Sequence, residues 1–202
     1  MDKTRSIEVI RRDADDPRIA NTLALAFQND PALAWLLPDP AIRARRLGQL
    51  FAVLEKQSLR AGQVLASHGR EAVVLEYPAG AVHHGFWPDI SDNLATARVL
   101  RSALGRGLRL AGAIHAHHPD PQPHVYLRFV GVRPDAQGSG WGSAIIRACV
   151  DRAAAQGRGV LLETATPENV GLYARLGFDI VSEWDAPEDG PRFWTMIREF
   201  GD

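Results

Sequence analysis

The order of hydrophobic and polar positions predicts strands at both ends of the chain and helices between them. Strand patterns, alternating or continuously apolar, cover residues 6–12, 63–69, 71–78, 124–134, 159–165, 178–185 and 192–200. Helical spacing of apolar residues covers residues 13–30, 30–40, 41–62, 93–119, 140–156 and 166–177. Because a strand–helix–strand order predicts a parallel pair and hairpins predict antiparallel pairs, we expect an α/β chain with a mixed sheet.

Local signals refine the ends of these elements. Asp15 or Asp16 is expected to cap the first helix, and Thr166 is expected to cap the last one, each ahead of a proline. Gly105 and Gly107 are expected to weaken the helix that contains them. Residues 80–93 show neither the strand nor the helix spacing of apolar residues and are expected to form a loop.

Composition narrows the class of protein. The 202 residues are 46% hydrophobic, carry a net charge of −1 and include one cysteine, Cys149. This size suits a single domain, residues 1–202, with its own core. The mixed charges give neither a basic stripe for nucleic acid nor a polybasic arm for a membrane. The lone cysteine, the charged N-terminus and the lack of an apolar run of about 20 residues lead us to expect a cytoplasmic protein.

A glycine-rich turn separates a predicted strand from a predicted helix. Gly138, Gly140 and Gly142 lie at alternate positions. Backbone N–H groups at a helix start point outward and the helix dipole adds positive charge, so we expect a phosphate or pyrophosphate here rather than a plain turn. A mononucleotide loop requires lysine after its last glycine, where this chain has Ser143. A dinucleotide fold requires its first glycine directly after the strand, whereas residues 133–137 intervene here.

The turn resembles the corresponding loop of the GNAT family of N-acetyltransferases. Its sequence QGSGWG, residues 137–142, matches that family's Q/R-x-x-G-x-G/A pattern. The longer segments VGVRPDAQGSGWGSAII and LETATPENVGLYARLGFDIV follow in the family's order, so the resemblance covers residues 124–182. Within the family, the chain is most similar to the puromycin N-acetyltransferase-like branch. The N-terminal part, which shapes the acceptor site in that branch, matches only loosely.

The resemblance implies a fold, a co-substrate and an acceptor. The GNAT fold has a twisted, mostly antiparallel sheet of about six to seven strands with helices on both faces. Residues 124–182 are expected to bind acetyl-coenzyme A without a metal, and residues 13–120 are expected to shape the site for a small-molecule amine. Transfer would be direct, in a monomer or homodimer that binds neither nucleic acid nor membrane. The residues expected to contact the cofactor are Val130, Gly131, Val132, Gln137, Gly138, Ser139, Gly140, Trp141, Gly142, Ser143, Asn169 and Tyr173.

Tyr173 and Glu163 are the candidate catalytic residues. The resemblance assigns Tyr173 as the acid for the leaving thiolate, since a hydrogen bond from a phenol strengthens as charge builds on sulfur. Asn169 lies four residues earlier on the same helix face and is expected to contact the pantetheine arm. Glu163, at the carboxyl end of its strand, is the candidate base or a structural carboxylate bonded to backbone, and Asp30 and Glu76 are further candidates for the base.

The basic residues of this region raise two further expectations. Ser139 stands where many family members carry lysine or arginine, so backbone donors should supply most of the pyrophosphate binding. Arg133 and Arg147 are candidate charge partners or ordinary surface arginines. The histidine clusters at residues 83–84 and 115–118 are expected to be solvated loops rather than zinc sites, with His84 or His118 as a candidate wall of the acceptor pocket.

Two other functions stay open at this stage. An acetyltransferase that acts on peptide N-termini or lysines would have an acidic or extended groove. A non-catalytic sensor of acyl-coenzyme A would bind the cofactor without turnover.

Overall fold

Seven strands of the described residues form one sheet. The fold comes from a computed structural model and is described for residues 6–14, 16–81, 90–119 and 123–201. The strands are β1 Ile7–Val9, β2 Gln63–Ser67, β3 Ala72–Tyr77, β4 Val125–Val132, β5 Val160–Thr164, β6 Asp179–Asp185 and β7 Arg192–Arg198. Their order across the sheet is β1-β2-β3-β4-β5-β7-β6. Only the β4–β5 pair is parallel, which confirms the predicted mixed, mostly antiparallel sheet.

Helices cover both faces of the sheet, as predicted. They are α1 Pro17–Ala26, α2 Pro31–Leu36, α3 Pro40–Ala61, α4 Ile90–Leu100, α5 Leu104–Ala116, α6 Trp141–Ala154 and α7 Pro167–Ala174. Alternate residues of β3 divide the core between the faces. Val73 and Leu75 pack in the cluster with α1 and α3, whereas Ala72 and Val74 pack in the cluster with α6 and α7. In the described ranges, no helix is both long enough and apolar enough to cross a membrane.

Aspartate–proline pairs begin three of the helices. Asp16, Asp30 and Asp39 each accept a hydrogen bond from a backbone N–H of the first turn that follows. The prediction that Asp16 caps α1 is confirmed, while the alternative, Asp15, lies outside the described residues. Thr166 occupies the predicted position before α7, but its hydroxyl donates to Asp30 at 3.4 Å instead of bonding that helix.

The helical region before β4 differs from the prediction. Residues 90–93 begin α4, so the expected loop at residues 80–93 is wrong there, and residues 82–89 lie outside the described ranges. The break between α4 and α5 falls at Arg101, which has a φ of 51°, in a 3₁₀ turn. Gly107 lies inside α5, and a Cβ at this position would stand 3.0 Å from Leu100 Cδ1. The glycine therefore allows close helix packing and does not interrupt the helix.

The parallel strands β4 and β5 separate halfway along β4. They pair only over Val125–Leu127 and Val160–Leu162, while the rest of β4 pairs on its other edge with β3. The β3–β4 register shifts beside Leu75 and Glu76, so the irregularity of β4 falls at Arg128. Gly131 pairs regularly with Val73. A Cβ at Gly131 would stand 2.8 Å from Leu23 Cδ2, so the glycine allows α1 to pack closely against β4.

Candidate active site

The glycine turn folds its side chains back onto its own backbone. Gln137 Nε2 donates to the Val132 carbonyl at 3.1 Å, and Ser139 Oγ donates to the Ala136 carbonyl at 2.5 Å. Gly138 and Gly140 have φ values of 73° and 88°, which only glycine adopts without strain. The side chains therefore stabilise the turn and leave its backbone toward solvent.

Helix α6 begins directly at this turn. Its first intrahelical hydrogen bond runs from the Ala144 N–H to the Gly140 carbonyl, at 3.0 Å. The N–H groups of Trp141, Gly142 and Ser143 belong to the first turn, which has no intrahelical acceptor for them. These three amides and the positive end of the helix dipole provide an environment suited to an anion.

The two arginines proposed as charge partners lie in different surroundings. Arg133 Nε donates to Asp135 Oδ1 at 2.5 Å, and this partner raises the pKa of the guanidinium. Its charge is therefore already compensated. Arg147 is an exposed residue of α6. Neither observation assigns either arginine to a ligand.

A cavity of about 170 Å³ opens where β4 and β5 separate. Its apolar walls come from α2 to α5, the residue that follows α1, and β4; they include Phe27, Leu33, Leu36, Leu50, Leu54, Leu100, Leu104, Leu108, Ala111, Ile114 and Phe129. Polar side chains gather on the sheet and α7 side; they are Asp30, Tyr126, Arg128, Glu163, Thr164, Asn169 and Tyr173. The cavity thus joins an apolar chamber to a polar side that carries two carboxyl groups and two phenols.

Tyr173 and Asn169 both line the cavity, which confirms that they share a face of α7. Tyr173 is 6% exposed, and its ring contacts Phe178 edge to face. Burial, followed by the nearby charge of Asp30, raises the pKa of Tyr173 above its ordinary value. The phenol is therefore protonated at neutral pH and available as a hydrogen-bond donor.

Glu163 lies in a buried cluster of side chains. Its Oε1 is 2.6 Å from His118 Nε2, and the two side chains are 4% and 1% exposed. Although the atoms are close, the contact does not have the geometry of a regular hydrogen bond. The Tyr126 ring meets the His118 ring edge to face at 4.8 Å, and burial, followed by the nearby charge of Glu163, raises the pKa of the Tyr126 phenol. These partners of Glu163 are side chains, unlike the backbone contacts that the alternative interpretation expected.

The expected solvated loop at residues 115–118 is wrong for its last two histidines. His117 stacks on Trp184 at 4.4 Å and bonds the Ala113 carbonyl through Nδ1 at 2.8 Å. The side chain of His118 is buried behind Glu163 and is absent from the residues that line the cavity. Sequence reasoning missed this pair because Glu163 is far away along the chain, and the signal was only a histidine run at a helix end.

The other two candidates for the base, Asp30 and Glu76, differ in their position relative to the cavity. Asp30 lines the cavity, accepts from the Leu33 N–H at 3.0 Å, and has its pKa raised by burial. Glu76 is absent from the cavity wall and contacts Cys149 near Arg152, with a pKa also raised by burial. Glu76 is therefore too remote to act on a group in the cavity.

The side chains that can bind metal ions do not come together as a site in the described ranges. No group of three or more histidine, cysteine, aspartate or glutamate side chains there is arranged to hold a metal ion. The predicted cluster at His83 and His84 lies outside those ranges.

A sequence profile identifies the family to which this chain belongs. The profile described as "Acetyltransferase (GNAT) family" matches residues 73–178, more than half of the 202 residues. The chain belongs to the GNAT acetyltransferase family. The members of this family are acetyltransferases that generally use acetyl-coenzyme A.

Sequence relatives include two small-molecule acetyltransferases. This GNAT chain is 37% identical over 71 residues to the L-methionine sulfoximine/L-methionine sulfone acetyltransferases of Pseudomonas aeruginosa and Pseudomonas paraeruginosa. The match covers 34% of this chain and 40% of each relative, so less than half of the relatives' length is spanned. The finer resemblance to puromycin N-acetyltransferases stays a prediction.

Solved structures share the whole fold at low identity. A Corynebacterium glutamicum structure described as histone acetyltransferase HPA2 and related acetyltransferase is 24% identical, with 98% of both chains covered and a TM-score of 0.69. An agmatine N-acetyltransferase is 15% identical, with 97% and 100% covered and a TM-score of 0.65. Arylalkylamine N-acetyltransferase 2 from Aedes aegypti is 13% identical, with 98% and 100% covered and a TM-score of 0.58. These likenesses establish the GNAT fold.

Proposed function

We propose that this GNAT enzyme transfers the acetyl group of acetyl-coenzyme A to the primary amine of a small molecule, directly and within a ternary complex. The observation that carries the proposal is the cavity at the separation of β4 and β5, which joins an apolar chamber to Tyr173 and Glu163. In this proposal, residues 1–202 act as one domain, residues 124–182 hold the cofactor, and residues 13–120 shape the acceptor site.

The glycine turn fits a pyrophosphate. A Cβ at Gly138 would meet no heavy atom within 4 Å, so the approach to the turn is open. The amides of residues 138–143 would bind the pyrophosphate, and Asn169 with the main chain of Val130–Val132 would bind the pantetheine arm. When bound, acetyl-coenzyme A supplies the thioester whose acetyl group is transferred. The free edge of β4 beyond Leu127 supports this assignment, because its backbone is not paired with β5.

Tyr173 and Glu163 take opposite roles in the transfer. Tyr173, whose pKa is raised by burial, keeps its proton until negative charge develops on the sulfur, and then donates it. Glu163 accepts a proton from the amine so that the nitrogen lone pair is free to attack. Both side chains line one cavity, which supports a single step without a covalent enzyme intermediate.

The cavity favours a compact acceptor with an apolar body. Apolar side chains form most of its walls, while Asp30 and Glu163 attract a cationic amine to the polar side. A chamber of about 170 Å³ accepts a small molecule more readily than an extended peptide. The partial match to acetyltransferases of methionine derivatives also supports a small acceptor.

An amine screen tests this proposal. Release of free thiol from acetyl-coenzyme A would be followed with apolar primary amines of graded size, puromycin, L-methionine sulfoximine, a polyamine and short peptides. We expect the highest kcat/KM for a small amine with an apolar body. Preference for a peptide would favour the protein-acetyltransferase alternative, and binding of coenzyme A without turnover of any amine would favour the sensor.

A further inference from the structure

The His118–Glu163 pair is unusual because it is buried and incompletely bonded. Both ring nitrogens of His118 and Oε1 of Glu163 lie away from solvent without a regular hydrogen bond, although Nε2 and Oε1 are 2.6 Å apart. Leaving such groups unsatisfied costs stability, so a purely structural pair would be expected to align its hydrogen bond. Hydrogen bonds in catalytic sites are often poorly aligned before substrate binds and tighten in the complex.

The neighbouring histidines behave differently. His117 is fixed by its stack on Trp184 and by its bond to the Ala113 carbonyl. His124 Nε2 contacts Glu199 at 3.1 Å, and that glutamate side chain is 63% exposed. Only the His118 contact, of these three, involves a carboxylate that lines the cavity.

The position of His118 relative to the cavity suggests the direction in which a proton would move. Glu163 is part of the cavity wall, while His118 is not, so the carboxylate lies between the imidazole and any amine in the chamber. Tyr126 packs its ring against His118 and lies near enough to the same carboxylate for the charge of Glu163 to raise the pKa of its phenol. A proton accepted by Glu163 therefore has an imidazole nitrogen as its nearest onward acceptor.

We propose that His118 is a positioning residue for Glu163 and the second carrier of the proton in acetyl transfer. The inference rests on the proposed function and deepens it. An ammonium that becomes an amide loses two protons, and the sulfur regains one, so one proton must leave the site in each turnover.

The protons and electron pairs balance along this route. Glu163 takes the first proton from the ammonium and passes it to His118 Nε2, which restores the carboxylate. The nitrogen lone pair forms the N–C bond, and the C–S bond breaks with its electron pair going to sulfur, to which Tyr173 donates its hydroxyl proton. Glu163 takes the second proton from nitrogen, and that proton returns to Tyr173 through solvent. The proton on His118 leaves with product release.

The test compares His118→Gln with His117→Gln, measured with the best amine of the screen. Glutamine keeps a hydrogen-bond donor near Glu163 but does not carry a proton. We expect His118→Gln to lower kcat about 10- to 100-fold, to leave KM nearly unchanged, and to displace the acidic limb of the kcat/KM profile against pH. His117→Gln should leave that profile in place. The other titratable or charged groups near the pair are Tyr126 and Arg128 on β4 and Tyr77 on β3.

A double-mutant cycle and a spectroscopic readout separate proton transfer from simple packing. Because the two residues act in sequence, adding His118→Gln to Glu163→Gln should cost less than about threefold more in kcat. In protein labelled with ¹⁵N at histidine, Glu163→Gln should move the His118 Nε2 resonance, whereas Glu168→Gln on the exposed side of α7 should not. This readout needs no turnover.

The outcomes distinguish this inference from the proposed function. Active enzyme with additive losses in the cycle, or with an unmoved pH profile in a folded His118→Gln variant, would overturn the inference alone. An unmoved His118 resonance in Glu163→Gln would do the same. Failure of the wild type to acetylate any amine would overturn the proposed function and, with it, this inference.

Discussion

Replacing Gly138 by alanine tests whether the glycine turn binds the cofactor. Gly138 has a φ of 73°, and a Cβ at this position would have no heavy atom within 4 Å, so alanine meets no steric clash with the rest of the protein. The cost is conformational, about 1 to 2 kcal/mol for a left-handed backbone. Gly157, at the other end of α6, is a matched control, with a φ of 66° and the same open space.

The two variants should share a stability loss and differ in binding. Each should lower the melting temperature by about 2 to 8 °C, the shift that this free energy causes in a chain of this size. Only Gly138→Ala should weaken the binding of coenzyme A, because relaxing the turn rotates an amide away from the pyrophosphate. Loss of one hydrogen bond to a charged group, about 1.5 to 3 kcal/mol, corresponds to an affinity about 10- to 150-fold lower.

Isothermal titration with coenzyme A, together with thermal unfolding, measures both quantities without requiring an acceptor. Equal affinities in Gly138→Ala and Gly157→Ala, at similar stability losses, would refute the assignment of the turn as the pyrophosphate site. A loss of affinity in both would indicate that α6 responds as a whole.

Three further predictions concern the core, the cavity and a buried charge. Phe51→Ala should destabilise the fold by about 3 to 5 kcal/mol in chemical denaturation, because Phe51 is fully buried between Phe27 and Phe129; a loss below about 1 kcal/mol would contradict this packing. Ala111→Phe should fill the chamber and raise KM for the amine at least about tenfold, with the affinity for coenzyme A unchanged; an unchanged KM would move the acceptor elsewhere. Burial raises the pKa of Glu76 above its ordinary 4.5, so the folded state binds the Glu76 proton more tightly than the unfolded state does. The folded state therefore loses stability as the pH rises from 4.5 through the pKa that Glu76 has in the folded state. Glu76→Gln should remove this decline in the pH dependence of unfolding, and an identical pH dependence would show that Glu76 is not desolvated.

Local signals explain why much of the fold follows from the sequence. The aspartate–proline pairs begin α1, α2 and α3 through bonds within one turn, and the alternation of β3 assigns its residues to two faces. The turn glycines Gly138 and Gly140 carry positive φ values, which only glycine adopts without strain. Each of these features depends on neighbours in the chain.

Features that depend on distant partners were not predicted. The helix break at Arg101 has neither proline nor glycine to mark it. The burial of His118 requires Glu163, which approaches it only after β4 and β5 pair. The acceptor chamber is assembled from helices and strands that are far apart in the chain, so no single stretch carries its pattern.

The central claim is that Tyr173 delivers a proton to sulfur while the turn and the separated strands hold the cofactor. Tyr173→Phe removes only the hydroxyl from a side chain that is 6% exposed. Thiol release with the best amine should fall at least about 100-fold in kcat, while titration with coenzyme A gives the wild-type affinity. Unchanged kcat in a folded Tyr173→Phe variant would contradict the account.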